Sequence, residues 1–129
     1  MEIKIILKGR IPSKKNSKII VCRGTRPQVL PSKKYTEWHD AAGWEAIAQT
    51  RVRRITDCRI EITIYAPDKI KADLTNKAES ICDLLVDCDI LVDDNWFNVG
   101  KVYLSFGGVD KSNPRAEVTI YPLDTVKDS

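Results

Sequence analysis

The sequence predicts a two-layer sandwich of the α/β (α+β) class, a mixed β-sheet carrying two main helices. The segment CRIEITIYA, residues 58–66, alternates strictly at Ile60, Ile62 and Ile64, the period of a half-buried strand. Two longer segments, after Ser32 and after Asp73, repeat apolar residues at three- and four-residue spacing, the period of a helix face. Strands, helix, strand, helix and two further strands follow one another in that order, which suits helices packed on a sheet.

Taken from the N-terminus, Glu2 to Leu7 is Ile-rich and partly alternating, a first strand that ends near Gly9. RIPSKKNSK is irregular, because Pro12 and the polar run Ser13 to Ser17 break any periodicity. Lys18–Cys22 and Gln28–Leu30 read as the arms of a hairpin with a basic, exposed turn containing Arg23, Gly24 and Arg26. Pro31-Ser32 starts a helix over about Lys33 to Arg53, with Ala41, Trp44, Ala48, Val52 and Ile55 as its apolar stripe and Trp38 and Trp44 in the core.

The strand at 58–66 follows, then a loop from Pro67 to Ala72. The second helix opens with Asp73 or Thr75 as N-cap and carries the stripe Leu74, Ala78, Ile81, Cys82, Leu85. Lys101–Phe106 and Ala116–Tyr121 read as a closing hairpin turned by GGVDKSNP. The boundaries give one domain at 1–122, with no internal repeat, and a short tail at 123–129.

Charge breaks up the apolar run of MEIKIILKGRIP every two or three residues, so it is neither a signal peptide nor a membrane span, and the cytoplasm is the expected location. Cys22, Cys58, Cys82 and Cys88 form no C-x-x-C pair and have one histidine, His39, to help them. That spacing argues against a zinc cluster and for reduced, buried thiols.

The charges are segregated. Residues 1–60 hold fourteen Lys and Arg against five Asp and Glu, a balance of +9; residues 61–129 hold seven against thirteen, a balance of −6. One half is suited to anions and the other to cations. Seven acids crowd into ADLTNKAESICDLLVDCDILVDD, residues 72–94.

Converging carboxylates make a site for a hard divalent cation such as Mg²⁺. A helix of about thirteen residues leads the chain ~20 Å from Asp73, and six extended steps from Cys88 return a similar ~20 Å to Asp94. Asn76, Glu79 and Asp83 share one helix face at i, i+3, i+7. The plainer alternative is an Asp73 N-cap, a hydrated acidic helix face and a solvated Asp93-Asp94-Asn95 turn. Lys14, Lys15, Lys18, Arg23, Arg26, Lys33 and Lys34 sit on loops and helix starts, which suits a phosphodiester backbone bound by counterion release, or else a plain solvated basic surface.

GRIPSKKNSK, PSKKYTEW, ADLTNKAESICDLLVD and LVDD, in this order, resemble the RusA-type Holliday-junction resolvases, crossover-junction endodeoxyribonucleases common in prophages. The resemblance runs from Gly9 to the closing strands, and D-L-x-N with the doubled aspartate is its most specific part. It implies a homodimeric nuclease that uses Mg²⁺, with Mn²⁺ as the alternative ion, to nick four-way junction DNA symmetrically in recombination and repair.

Carried onto this chain, Asp73, Asn76 and Asp94 match the motif, Asp83 matches an acid on the helix, and Lys14, Lys15 and Asn16 match a polar loop. Thr75 replaces a second aspartate and Glu79 replaces an expected catalytic lysine. Lys77 lies two positions before Glu79, off that face, and Lys71 just before Asp73.

The expected site is therefore Asp73, Asp94 and Glu79 as catalytic metal ligands, with Asp83 as a further ligand. DNA contacts are expected from Lys14, Lys15, Asn16, Lys18, Arg23, Arg26, Lys33, Lys34, Lys71, Asn76 and Lys77. His39 is expected to be a surface or packing residue. The alternatives are a junction-binding module of the same fold without catalysis, and an assembly protein whose acidic helix meets a partner.

Overall fold

A computed structural model describes residues 1–13, 18–24 and 26–123, with only the backbone course for 18–23, 26–29 and 31. Among the described residues, four strands form one sheet and two form another. Strand β1 (Ile3–Lys8) turns Ile3, Ile5 and Leu7 inward. The small sheet is the hairpin β2 (Lys18–Arg23) and β3 (Arg26–Pro31), paired from Lys18↔Pro31 to Arg23↔Arg26. Helix α1 (Lys33–Gln49) starts where Ser32 Oγ accepts the Tyr35 N–H at 3.1 Å. It is followed by β4 (Cys58–Ala66), α2 (Leu74–Asp87), β5 (Val99–Val109) and β6 (Arg115–Pro122).

The main sheet runs β1-β6-β4-β5, with β4 parallel to β5 and the other pairs antiparallel. The last two strands therefore do not form the hairpin expected from their adjacency in sequence. The strictly alternating β4 takes the place between them, and α2 is the crossover that a parallel β4–β5 pair requires. Residues 110–114 step across the end of β4, where the Asp110 N–H donates to the Ala66 carbonyl at 2.8 Å.

One sheet face meets the helices, and there Ile60, Ile62, Ile64, Val118 and Ile120 pack with Ala42, Ala46, Ile81, Leu84 and Leu85. In α2, Ala78, Ile81 and Leu85 of the expected stripe are buried, with Leu74 and Cys82 partly so. Helix α1 departs from expectation. It ends at Gln49, and the Arg53 guanidinium caps it by donating to the carbonyls of Thr50 (2.6 Å) and Val52 (2.9 Å).

The buried face of α1 is Tyr35, Ala42, Gly43 and Ala46, whereas Ala41 and Ala48 are exposed and Trp44 is 75% exposed. Small alanines set the periodicity on both faces of this helix, so the stripe was read on the wrong side. Gly43 belongs on the true inner face, since an added Cβ would stand 3.3 Å from Cys88 Sγ. Trp38 does pack against the core.

The outer face of the sheet is covered by stacked side chains. The Arg59 guanidinium lies 4.1 Å from the Tyr121 ring centre and that of Arg115 lies 3.9 Å from Tyr65, distances at which cation–π attraction operates. Tyr65 in turn lies over Gly107, where a Cβ would meet the ring at 2.5 Å. At one edge of the sheet, Gln49 pairs with the Ile6 backbone, accepting its N–H at 2.8 Å and donating to its carbonyl at 2.7 Å. The edge strand β1 is thereby closed by a helix side chain. No helix among the described residues is long and apolar enough to cross a membrane.

Cys58, Cys82 and Cys88 are free thiols, and Cys58 is fully buried. Burial, then the nearby Asp57 charge, push the Cys58 thiol from 9.0 up to about 11. Because the folded state holds this proton more tightly than the unfolded chain, its stabilising effect is complete below pH 9 and is lost as pH rises toward 11. Urea midpoints should therefore fall over that window for the native chain and fall less for Cys58→Ala. Identical slopes would assign the alkaline loss to other groups.

Candidate functional site

The acidic segment is organised by the two ends of α2. At its start Asp73 is the N-cap, and its Oδ1 accepts from the Thr75 N–H at 3.0 Å and the Thr75 hydroxyl at 2.7 Å. Thr75, at a departure from the aspartate pattern, thus orients the Asp73 carboxylate. A capping carboxylate at a helix N-terminus is stabilised by orphan N–H groups and the macrodipole.

At the other end the chain does not leave as an extended strand. Asp89 adopts φ +63°, and the N–H groups of Ile90 and Leu91 both donate to the Leu85 carbonyl at 3.0 and 3.1 Å. Leu91 makes an isolated bridge to Ile55, and the chain bends again at Val92. These turns use up part of the expected reach, because three steps from Leu91 to Asp94 cover ~10 Å.

Asp94 comes under the charge of Asp83 and of its neighbour Asp93. Burial first, then the hydrogen bond with Asp93 and these two charges, hold its carboxyl above the usual carboxylate range. Asp94 and Asp83 also act on Cys82, whose thiol is pushed up to about 11, mainly by burial. Glu79 is exposed on the same helix. His39 joins Asp87 across the two helices at 2.7 Å, which makes it a packing tie.

Among the described residues, no group of three or more His, Cys, Asp or Glu side chains is placed to hold a metal ion. A hydrated Mg²⁺ needs fewer, since one or two carboxylates with waters and substrate phosphate suffice. Asp94, whose carboxyl feels the charges of Asp93 and Asp83, has the chemistry of one such donor, so the residues fit a largely hydrated ion.

The cationic side is built on the first half of α2. Lys77 Nζ donates to the Ile11 carbonyl, and the buried Ser80 hydroxyl donates to the Pro12 carbonyl at 2.7 Å. Burial first, then the Arg10 charge, lower the Lys77 pKa. Arg10 itself pairs with Asp68. The two bonds from α2 fix the chain just before residue 14.

Lys14, Lys15 and Asn16 lie outside the described residues, as do residues 124–129 of the expected tail. Lys18, Arg23 and Arg26 are placed on β2 and β3 by backbone alone. Lys33 and Lys34 are exposed in the first turn of α1, and Lys33 pairs with Glu37 one turn on at 3.9 Å. Asn76 is half-buried in the first turns of α2.

Lys69, Lys71 and Lys77 line a cleft of about 640 Å³ together with Ile64, Leu74 and Phe106. Sequence reasoning missed Lys69, Arg10 and Ser80. Lys69 stands in DKIKAD, where two lysines lie between two aspartates and leave no net charge to signal it; the other two act through a salt bridge and a backbone carbonyl that no spacing reveals. Ser80→Ala strands the Pro12 carbonyl and should cost about 1–3 kcal/mol. Urea titration reads the loss.

No curated protein matches the sequence significantly. Residues 9–121 match the family model described as endodeoxyribonuclease RusA, which covers every element from the end of β1 to β6. Nucleases of this family act on Holliday junctions, generally with a divalent metal ion and as dimers. With Lys77 and several acids mounted on one helix and a match over most of its length, the chain belongs to the RusA endodeoxyribonuclease family.

Proposed function

We propose that the protein is a Mg²⁺-dependent endonuclease that resolves four-way DNA junctions by symmetric phosphodiester hydrolysis in recombination and repair. The observation that carries this is that α2 bears both halves of the chemistry: Asp83, under whose charge Asp94 titrates, and Lys77, which lines a largely apolar cleft together with Lys69 and Lys71. Asp73, Asp94 and Glu79, with Asp83, are the residues that would hold the ion, Mg²⁺ or in its place Mn²⁺. When bound, that ion supplies Lewis-acid polarisation of a phosphoryl oxygen and a water of lowered pKa.

The chain's own groups do the rest. Thr75 keeps the Asp73 carboxylate oriented. Lys71 and Lys77 stand at the start of α2 where a phosphate would arrive, and the pull of burial on the Lys77 proton makes a phosphate oxygen a favourable partner for it. Lys14, Lys15, Asn16, Lys18, Arg23, Arg26, Lys33, Lys34 and Asn76 extend the contact along the backbone. A homodimer matches the two-fold symmetry of the junction, one site for each of two equivalent strands.

Purified protein should nick a synthetic four-way junction in opposed arms when Mg²⁺ is present and leave a linear duplex of the same sequence intact. EDTA should abolish the reaction. Tight junction binding with no cleavage in either Mg²⁺ or Mn²⁺ would instead make the protein a binding module. Lys14→Ala with Lys15→Ala should weaken binding and flatten its dependence on salt by about two counterions' worth of slope.

A further inference from the structure

Trp96 and Phe97 leave 79% and 80% of their surfaces in water, although each follows within three residues of Asp94. Their rings stand edge to face with centres 6.2 Å apart, so each keeps an open π-face. This is not a slack loop. Asn95 Oδ1 accepts from the Phe97 N–H at 3.0 Å, the Asn98 N–H at 3.1 Å and the Asn98 side-chain amide at 3.0 Å, while its own amide donates to Asp93 at 3.2 Å. The Asn98 carbonyl in turn accepts the Cys58 N–H at 2.9 Å, which ties the loop to the first residue of β4. One asparagine therefore holds the acid pair and the aromatic pair in a fixed relation.

We propose that Trp96 and Phe97 form a stacking platform for unpaired nucleobases beside the scissile phosphate, and so select branched over linear DNA. The inference rests on the nuclease reading above and names what that site recognises besides backbone. Flat, uncharged π-faces suit neutral bases, and the adjoining Asp93, Asp94 and Asp83 repel phosphate wherever no cation intervenes, so this edge meets a base rather than a backbone. Base–aromatic stacking is tolerant of sequence, as selection by branch shape requires.

The test uses a four-way junction with 2-aminopurine beside the branch point and a linear duplex carrying the same label, both without divalent cation. Native protein should bind the junction more tightly and change the 2-aminopurine emission. Trp96→Ala with Phe97→Ala should lower junction affinity on the order of 10–100-fold, leave duplex affinity within about twofold and abolish the emission change. Trp96→Phe with Phe97→Tyr should restore both, which guards against a general structural effect.

A folded double-alanine variant with an unchanged junction-to-duplex ratio overturns the platform while leaving the nuclease reading intact. A change of sedimentation coefficient in that variant overturns it too, by assigning the rings to contact between copies. Native protein that binds junction and duplex alike overturns both readings.

Discussion

Asp94→Asn should slow junction cleavage by at least about 10³-fold, equivalent to ~4 kcal/mol of transition-state stabilisation, while junction binding is kept or tightened. The amide preserves the shape of the side chain and its place after Asp93, but it removes the charge that a bound cation needs. Taking one negative charge from a group in which Asp94 already feels Asp93 and Asp83 also lessens repulsion of the DNA backbone. Asp73→Asn makes a clean companion, because asparagine caps a helix as well as aspartate does and α2 should remain intact. Single-turnover nicking in saturating Mg²⁺ with anisotropy binding in its absence separates the two effects. Cleavage by Asp94→Asn within tenfold of native would place the reaction elsewhere on the molecule.

Leu85→Ala should destabilise the fold by about 3–4 kcal/mol and lower Tm by roughly 10–20 °C. Leu85 is fully buried against the sheet, and its carbonyl receives both N–H groups that turn the chain toward Asp94. A cavity here loosens the core and the route to the acids together, so cleavage should fall at temperatures where far-UV circular dichroism still reports a folded chain. Thermal melts check the first effect and nicking at 10 °C the second. A loss below about 1 kcal/mol would mean that the neighbours collapse into the space.

How much of this could be read from residues alone depended on how each element is solvated. Strand Cys58–Ala66 was legible to the residue because one face meets the core and the other the outer surface, so its pattern has no competing explanation. The partnership of the last two strands was not legible, since a hairpin and a skipped strand leave the same alternation and only the insertion of β4 decides between them. Helix α1 misled because alanine suits either face. Asp73 was legible as a cap. The path after α2 was not: a single positive φ at Asp89, unmarked by glycine or asparagine, bent a segment that apolar content alone makes extended. The basic segment at 14–16 was visible in composition, while the Ser80 and Lys77 anchors that hold its approach were not, because each ends on a backbone carbonyl 66 or 68 residues away.

The pairing of β1 with β6 fixes when the molecule comes into being. Among the described residues, Ile3–Lys8 finds its sheet neighbour in Arg115–Pro122, so β1 must wait for β6. Pairings so distant in sequence place folding toward the slow end for a chain of this size. Until that final strand arrives, the electropositive N-terminal portion and the acid-rich portion belong to pieces not yet joined. The two oppositely charged portions are therefore brought into one molecule by the step that closes the sheet.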